Sequence, residues 1–515
     1  MDEPQALIDF LSSGASYRLA GAAVEQIVTH ISRLFLVGDR VFKLKRAVKF
    51  SYLDYSTRER RERFCRAELD LNRRTAPGLY LGLRKITRGT DGSLALDGGG
   101  EAVDWLIEMR RFREDDLFDR MAAAGRLTPM LMRDLADAIA VFHSDAEITP
   151  DRGGRDSLAR TIAINDENLR LAAPPLDGAG IDRLRAASEA HLTRVGPLLE
   201  ARRRAGKVRR CHGDLHLRNI CLFEGKPTLF DCIEFNDDFA CIDVLYDLAF
   251  LLMDLVERGL AEDANRVLNR YLDRSSESDG LAALPLFQSA RAAVRAHVLG
   301  ALVRSGGPQR AAEARAAAAY LALALALLEP HPPRLLALGG RSGTGKSTVA
   351  QALAAGFPPA PGARLLRSDV IRKRLAGIAP ETSLPRESYT PAASERVYAA
   401  LGEEAERTLA AGYSVIVDAT FLRAEERRAV AALAAKARVL FTGLWLDAPD
   451  EVLARRIAAR RGDASDADLA VLQWQLGIDT GPIAWQRVDA AGDLAETLAA
   501  ARALSATSGP APSSS

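Results

Sequence analysis

The sequence predicts two domains, an α+β bilobal domain followed by an α/β domain with a parallel sheet. Strand patterns fill roughly the first hundred residues and are followed by mainly helical sequence, which is a two-lobed layout. After a proline-bearing break from Glu329 to Arg334, strand and helix patterns alternate, as a parallel sheet requires. The length of 515 residues is also too great for one hydrophobic core.

The elements of the first domain follow from local patterns. Alternating residues around Gly38 predict a β-hairpin from Ser32 to Val48. Apolar residues at helical spacing predict a helix from Thr57 to Thr75. A strand from Ala102 to Phe112 leads into helical sequence, and the stretch from Val244 to Glu329 is again helical.

Four apolar runs in the second domain predict the strands of a parallel sheet. Each is followed by sequence with helical spacing, so the crossover connections of such a sheet are accounted for. The predicted strands are Leu335 to Leu338, Ala363 to Arg367, Ser414 to Val417 and Val439 to Leu446.

Domain limits are set at the proline-bearing break. We expect the first domain over residues 1–330, with an N-lobe at about 20–112 and a C-lobe at about 113–330. The second domain is expected over residues 334–503. The low-complexity tail at 504–515 is expected to be disordered.

Composition narrows the class of protein. With 48% apolar and 27% charged residues and a net charge of +1, the chain lacks the overall positive charge that attracts nucleic acid or an anionic membrane. We find no signal-peptide pattern and no apolar run long enough to span a membrane. Five cysteines without a CxxC pair argue against disulfides and zinc. We therefore expect a reducing, cytoplasmic setting and no membrane partner.

A phosphate-binding motif follows the first strand of the second domain. Residues 340–347 match the pattern GxxxxGK[ST] between an apolar strand and a helical pattern. The glycines let backbone N–H groups face phosphate, Lys346 neutralises phosphate oxygens, and Ser347 can ligate Mg²⁺. The predicted ATP-binding residues are Gly340, Ser342, Gly343, Thr344, Gly345, Lys346, Ser347 and Thr348.

Charged residues after the next strands complete a kinase-like set. Asp369 is expected to orient or deprotonate a substrate hydroxyl, and Arg372 to hold an anionic group. Asp418 follows the next strand and is a candidate Mg²⁺ ligand. Arg456 and Arg460 share a helix face suited to closing over phosphoryl oxygens. A capping aspartate and a solvated arginine-rich helix are the structural alternatives.

These residues resemble a group of P-loop small kinases that includes gluconate kinases, zeta-toxin-like kinases and the phage polynucleotide 5′-kinase. The resemblance covers Leu335 to Asp489, and the Asp369/Arg372 pair matches the polynucleotide-kinase variant particularly well. It implies the roles given above but fixes no substrate. It also implies that the segment from Trp485 to Ala490 forms a loop beside adenine.

A second motif lies in the first domain. Residues 212–214 read His-Gly-Asp and precede Asn219, and Asp231 ends a nearby apolar strand. This arrangement resembles the H-G-D-x-x-x-x-N loop of aminoglycoside and choline phosphotransferases, relatives of the protein kinases. The resemblance implies that Asp214 is the catalytic base and that Asn219 and Asp231 bind Mg²⁺. Asp243 and Asp247 resemble the acidic pair that follows the metal loop and anchors the helical lobe, and for both we favour a structural role.

The same resemblance assigns residues of the N-lobe. Lys43 looks like the lysine that binds the α- and β-phosphates, and Glu68 looks like its ion-pair partner. Lys45 shares the face of Lys43, so the choice between the two stays open. Met109 to Phe112 would form the hinge whose backbone meets adenine.

We expect a bifunctional kinase that uses ATP and Mg²⁺ to phosphorylate hydroxyl groups of small molecules at two separate sites. One alternative is that the P-loop part phosphorylates the 5′-hydroxyl of RNA or DNA, although the near-neutral charge weighs against it. Another is an ATP-binding regulator with a degenerate first domain, since no glycine-rich phosphate cover precedes the first hairpin strand. The sequence leaves the substrates and the oligomeric state open.

Overall fold

The protein divides into two compact units. The computed structural model describes residues 5–50, 52–172, 176–305, 309–459 and 464–507. The first unit comprises Met1–Arg160 and Leu199–Leu251, and the second comprises Thr161–Leu198 and Leu252–Ser515. The helices after Leu252 therefore group with the C-terminal sheet, although the proline-bearing break lies later in the chain.

An antiparallel sheet of six strands dominates the N-terminal part, in the order β1-β2-β3-β8-β6-β7. The predicted hairpin is β2–β3, and its turn places Gly38 at a φ of 56°. The predicted helix is α2, whose N-cap Thr57 accepts a hydrogen bond from the Arg60 N–H. The elements are α1 (Gln5–Leu11), β1 (Glu25–Val28), β2 (Ser32–Val37), β3 (Arg40–Lys45), β4 (Lys49–Phe50), β5 (Leu53–Asp54), α2 (Arg58–Arg73), β6 (Tyr80–Arg88), β7 (Leu94–Leu96) and β8 (Glu101–Arg110). Strands β1, β4, β5, β6 and β7 were not predicted individually.

Helices and two short strand pairs follow. Strands β10 and β11 form a hairpin, and β9 pairs with β12, so the residues between them are held in a compact loop region. The elements are α3 (Phe118–Ala123), α4 (Pro129–Asp145), α5 (Gly154–Leu171), α6 (Gly178–Arg204), β9 (Val208–Arg210), β10 (Ile220–Phe223), β11 (Lys226–Leu229), α7 (Asp237–Ala240), β12 (Cys241–Asp243), α8 (Val244–Glu257), α9 (Ala261–Ser275), α10 (Leu284–Ser305) and α11 (Arg310–Ala326).

The C-terminal part is built on a five-stranded parallel sheet in the order β14-β15-β13-β16-β17. Successive residues of β13 face opposite cores, with Leu335 in one and Leu336 in the other, because side chains alternate along a strand. The elements are β13 (Arg334–Gly339), α12 (Lys346–Ala354), β14 (Arg364–Arg367), α13 (Ser368–Leu375), α14 (Pro391–Ala410), β15 (Val415–Asp418), α15 (Ala424–Ala437), β16 (Leu440–Asp447), α16 (Asp450–Ala459), α17 (Leu469–Leu476), β17 (Gln486–Asp489) and α18 (Leu494–Thr507). The four predicted strands are present, and the parallel α/β fold is confirmed.

Two expectations for this part differ from the structure. The segment expected to be a loop beside adenine is mostly strand β17, and Trp485 before it packs its ring against Phe421 and Phe441. An apolar ring that fills the core cannot also form an open loop. Helix α18 extends to Thr507, so the start of the segment expected to be disordered is helical. Residues 508–515 lie outside the described residues.

The five cysteines are all buried, and each is a free thiol. Burial raises the pKa of Cys65 and Cys221 to about 12, which keeps both thiols protonated. Among the described helices, none combines the length and apolar character needed to cross a membrane.

Candidate active sites

A buried carboxylate shapes the loop that carries Asp214. Asp247, in α8, accepts hydrogen bonds from the backbone N–H groups of His212 (3.0 Å) and Gly213 (2.8 Å). His143 Nε2 lies 3.1 Å from the same carboxylate. Gly213 has a φ of 85°, and a side chain there would meet a backbone carbonyl at 2.9 Å, so the turn needs glycine. The structural role expected of Asp247 agrees with these contacts.

Asp214 and Asn219 are joined directly. Asn219 Nδ2 donates to the Asp214 carbonyl (2.9 Å) and to Asp214 Oδ2 (3.0 Å). Its donor group is therefore engaged, and the amide oxygen is the ligand atom that remains for a cation. His216 Nε2 lies 3.4 Å from Asp214 Oδ2. The Asp214 side chain is 39% exposed, so an acceptor molecule can reach it from solvent.

Two lysines and three carboxylates form an ion cluster beside this loop. Lys43 Nζ lies 2.7 Å from Glu68 Oε1 and 2.5 Å from Asp231 Oδ1. Lys45 Nζ lies 2.5 Å from both Glu68 Oε2 and Glu234 Oε1. Burial alone would raise the pKa of Glu68, but the two lysines hold it at about 2. Lys43, Glu68 and Asp231 are thus brought together, in line with the roles predicted for them.

Lys43 and Lys45 differ in their contacts and in their exposure. Lys43 touches Asp231, the predicted metal ligand, and its side chain is 11% exposed, whereas that of Lys45 is 2% exposed. Lys45 is enclosed by Glu68, Glu234 and the Tyr55 hydroxyl. These contacts favour Lys43 over Lys45 for the predicted phosphate contact, which stays a prediction. Sequence reasoning missed Glu234, whose one local signal is its position three residues after Asp231.

Met109 does not lie in an open hinge. It is inside β8, paired with Val41 of β3 on one side and Tyr80 of β6 on the other. Its side chain is buried in the hydrophobic core of the sheet. Strand β8 ends at Arg110, so the open segment begins later than the sequence suggested, and contact between adenine and the Met109 backbone stays a prediction.

The phosphate-binding loop of the second unit requires its glycines. Gly340, Gly343 and Gly345 have φ values of 139°, 89° and 86°. A side chain would meet a backbone carbonyl at 2.3 Å from Gly340 and at 2.7 Å from Gly343. Helix α12 begins directly after Gly345, so its N-terminal N–H groups close the loop. Backbone donors around a helix N-terminus suit a phosphate group.

Lys346, Ser347 and Asp418 meet at the carboxyl edge of the sheet. Ser347 Oγ donates to Asp418 Oδ2 at 2.5 Å, and Lys346 Nζ donates to the Arg341 carbonyl at 2.9 Å. Arg367, at the end of β14, donates to Ser347 Oγ at 3.0 Å and lies 3.4 Å from Asp418. Sequence reasoning missed Arg367, although strand register places it directly beside Asp418.

Asp369 lies in the first turn of α13, where it is partly buried. Burial raises the pKa of Asp369 above its ordinary value, Arg367 opposes this shift and Asp418 reinforces it. A carboxylate with a raised pKa is better suited to accept a proton near neutral pH. The cavity described below exposes Asp369 together with Lys346.

The guanidinium group of Arg372 already contacts neighbouring groups of the protein. It donates to the Ser388 carbonyl (3.2 Å) and to Ser394 Oγ (3.3 Å), and its guanidinium lies 4.7 Å from the centre of the Tyr389 ring. These contacts fix one wall of the cavity. An anionic group would share the guanidinium with them, so the predicted anion contact stays a prediction.

Arg456 faces a loop. Its guanidinium donates to the carbonyl oxygens of Ala490 (2.7 Å) and Gly492 (3.1 Å), which holds the turn between β17 and α18. Arg456 also lines the cavity, but in this structure its donors are directed to backbone carbonyls. Arg460 lies outside the described residues. The closing role predicted for this pair stays a prediction.

Gln475 on α17 anchors the phosphate-binding loop, a contact that sequence reasoning missed. Its Oε1 accepts from the Ser342 N–H at 2.8 Å and its Nε2 donates to Ser342 Oγ at 3.0 Å. A cavity of about 1310 Å³ opens at this loop. It brings together most of the residues predicted for this unit, namely Ser342, Gly343, Thr344, Gly345, Lys346, Ser347, Thr348, Asp369, Arg372, Asp418 and Arg456.

Comparison with known proteins finds two family matches along the chain. Residues 109–287 match the phosphotransferase enzyme family, and residues 335–478 match an AAA domain family. Among solved structures, the chain is similar to a choline/ethanolamine kinase family protein from Mesorhizobium loti, with 12% identity, a TM-score of 0.35 and coverage of 63% of this chain and 99% of that one. It is also similar to a gluconokinase from Sinorhizobium meliloti 1021, with 27% identity, a TM-score of 0.23 and coverage of 35% and 97%.

A relative matches nearly the whole chain. The uncharacterized protein Rv2004c of Mycobacterium tuberculosis (strain ATCC 25618 / H37Rv) is 31% identical over 476 residues, which cover 90% of this chain and 92% of the relative. The expected order of a protein-kinase-like phosphotransferase part and a P-loop kinase part is confirmed by the two family matches. The chain is a kinase-like phosphotransferase and belongs to the same family as Rv2004c.

Proposed function

We propose that the chain is a bifunctional kinase that transfers the γ-phosphoryl group of ATP to hydroxyl groups of small molecules at two separate sites. The N-terminal site consists of Lys43, Glu68, Asp214, Asn219 and Asp231. The P-loop site consists of Lys346, Ser347, Asp369 and Asp418. The observation that carries the proposal is that each site combines a lysine for phosphate, a carboxylate for the acceptor and oxygen ligands for a cation.

At the N-terminal site, the Asp214 carboxylate receives the proton of the acceptor hydroxyl. The contact with Asn219 orients this carboxylate, and its exposure leaves room for an acceptor. Lys43 stabilises phosphate oxygens, and Glu68 fixes the position of its ammonium group. The site thereby places a base and a positive charge around the group to be transferred.

At the P-loop site, backbone N–H groups of the loop and Lys346 hold the phosphates. Asp369 lies two residues after Arg367, which contacts Ser347. The carboxylate proposed for the acceptor is therefore linked through the backbone to a contact on the phosphate side of the cavity. The raised pKa of Asp369 supports a role as proton acceptor.

Both sites suit Mg²⁺ by the chemistry of their ligand atoms. Asn219 and Asp231 offer an amide and a carboxylate oxygen, and Ser347 and Asp418 offer a hydroxyl and a carboxylate oxygen in direct contact. Mg²⁺ bound there would neutralise charge on the transferring phosphoryl group.

Four proteins test the proposal: wild type, Lys346→Ala, Asp214→Ala and the double variant. Mg²⁺-dependent ATP turnover is measured first, followed by a metabolite screen for phosphorylated products. We expect each single variant to remove one portion of the activity, by about 10²-fold or more for that portion, because each loses a group that acts on the transferring phosphoryl or its acceptor. The double variant should retain neither portion.

Other outcomes assign other functions. Turnover and products unchanged in both single variants would contradict the proposal. Loss of all turnover in Lys346→Ala alone would make the first unit an ATP-binding regulator. Phosphorylation of a 5′-hydroxyl oligonucleotide that depends on Lys346 would assign the P-loop site to polynucleotides instead of small molecules.

A further inference from the structure

Helix α9 covers the open edge of the C-terminal sheet. Strand β14 is one of the two edge strands, so among the described residues no strand pairs with the outer side of its backbone. Asn269 on α9 accepts a hydrogen bond from the Leu365 N–H at 2.8 Å and donates to the Ala363 carbonyl at 3.1 Å. Asn265, one helical turn earlier, donates to the same carbonyl at 3.0 Å. These side chains take the backbone bonds that another strand would take.

A buried ion network extends this contact. Arg364 of β14 lies 2.6 Å from Asp273 on α9 and 2.7 Å from Glu404 on α14. Arg364 also donates to Asn269 Oδ1 at 3.0 Å. Glu404 in turn lies 2.5 Å from Arg374 on α13. Burial alone would raise the pKa of Glu404, but Arg364 and Arg374 hold it at about 2, so the network is ionised near neutral pH.

The network leads to the acceptor side of the P-loop site. Strand β14 ends at Arg367, and α13 starts at the next residue and carries Asp369 in its first turn. Glu404 therefore contacts this strand–helix segment near both of its ends, through Arg364 at the start of β14 and Arg374 in the last turn of α13. A shift of β14 along its edge would move Asp369 relative to the phosphate-binding loop.

Helix α9 belongs by sequence to the other part of the chain. The phosphotransferase family match runs over residues 109–287 and includes all of α9, whereas the P-loop match begins at residue 335. The edge of the P-loop sheet is thus completed by an element of the phosphotransferase sequence.

We propose that α9 is a positioning element of the P-loop site, in which Asn269 and Asp273 act through Arg364 and Glu404 to set the place of Asp369. This inference rests on the function proposed for the P-loop site. Asn269 and Asp273 are positioning residues, since they touch β14 and Arg364 and no reacting group. If α9 only stabilised the fold, substitutions in it would change hydrogen exchange in all parts of the second unit alike.

The test uses the full-length chain with Asp214→Ala, which silences the first site. Into this background we place Asn269→Ala, Asp273→Asn and the conservative Asp273→Glu. Glu262→Gln, an exposed position at the start of the same helix, is the control. Amide hydrogen exchange is measured by mass spectrometry without nucleotide, and ATP hydrolysis is measured with Mg²⁺ and water as acceptor.

For Asn269→Ala we expect exchange in residues 363–376 to accelerate about tenfold, because the Leu365 N–H loses its partner, with the phosphate-binding loop unchanged. The kcat for Lys346-dependent hydrolysis should fall about tenfold while the KM for ATP stays within about twofold. Asp273→Asn should lower kcat in the same way, Asp273→Glu should restore most of it, and Glu262→Gln should behave as its background.

Faster exchange throughout the second unit, or an equal loss in kcat and ATP affinity, would overturn the proposal and leave α9 a general stabiliser. Unchanged exchange in residues 363–376 would overturn it as well. Absence of Lys346-dependent hydrolysis in the Asp214→Ala background would count against the proposed function alone. In that case local acceleration in residues 363–376 still supports the positioning role, and its absence still refutes it.

Discussion

The N-terminal site holds its positive charge in a cluster of side chains, whereas the P-loop site relies on backbone N–H groups and one motif lysine. In the first, Lys43 and Lys45 lie between carboxylates that come from distant parts of the chain. In the second, contiguous residues of one loop surround the phosphate position. The side-chain cluster therefore depends on the balance of buried charges, and the loop depends on its glycine geometry. Substitutions should affect the two sites differently.

The largest effect is expected for Glu68→Ala, which removes the carboxylate shared by two buried lysines. Loss of one partner from a buried ion pair reduces the free energy of unfolding by about 3–5 kcal/mol. The loss in the free energy of unfolding is measured by urea unfolding, with hydrogen exchange monitored in β3 and α2. Glu62→Ala on the same helix is the control, because Glu62 pairs with Arg66 at the surface and should change stability by about 0.5 kcal/mol or less. Equal losses in the two variants would contradict the importance of the cluster.

Lowering the pH should reduce the free energy of unfolding of the first unit through protonation of Glu68. Lys43 and Lys45 hold the pKa of Glu68 in the folded protein well below its value of about 4.3 in an unfolded chain. Because the folded pKa is the lower one, the stability that this difference contributes is complete above about pH 5 and is lost as the pH falls towards 2. The free energy of unfolding measured against pH should be flatter in Glu68→Gln than in wild type. Identical slopes would refute the assignment.

At the P-loop site, Ser347→Ala removes the hydroxyl that contacts Asp418. We expect Lys346-dependent turnover to fall about 10²-fold, equivalent to about 2.7 kcal/mol in the barrier, with a higher Mg²⁺ requirement. Stability should change little. Ser347→Thr is the matched variant, since the motif accepts threonine, and it should retain most of the activity. A Mg²⁺ dependence unchanged in Ser347→Ala would argue against a ligand role.

The smallest effect is expected for Gln475→Ala, which frees the Ser342 N–H and hydroxyl. Loss of this anchor should raise the KM for ATP about fivefold, corresponding to about 1 kcal/mol, with kcat nearly unchanged. Gln473→Ala, an exposed position on the same helix, should leave both constants unchanged. Steady-state kinetics of ATP turnover in the Asp214→Ala background would separate the two variants.

The contrast between the sites also explains what could be predicted from the sequence. The phosphate-binding loop is contiguous, so its residues and their strand–loop–helix setting could be identified from a short pattern. Lys43 and Lys45 share a strand face, and it is their exposures and their different partners, Asp231 and Glu234, that distinguish them. Those partners lie almost two hundred residues away in the chain. Such contacts have no local signal.

The same limit applies to residues that support the loop. Gln475 resembles any other glutamine on a short helix until α17 is placed against Ser342. Arg372 and Arg456 were predicted to bind anions because their spacing suits such a role, yet backbone carbonyls take up much of their donor capacity. Arginine motifs identify a donor, and only the fold identifies its acceptor.

The cover that α9 gives to β14 also bears on solubility. An uncovered edge strand offers its free N–H and C=O groups to strands of other chains and invites aggregation. A fragment that starts at Arg334 would lack Asn269, so the Leu365 N–H and the Ala363 carbonyl would be open to such pairing. Recombination at the proline-bearing break would therefore yield an aggregation-prone protein. We expect the two coding regions to be inherited together.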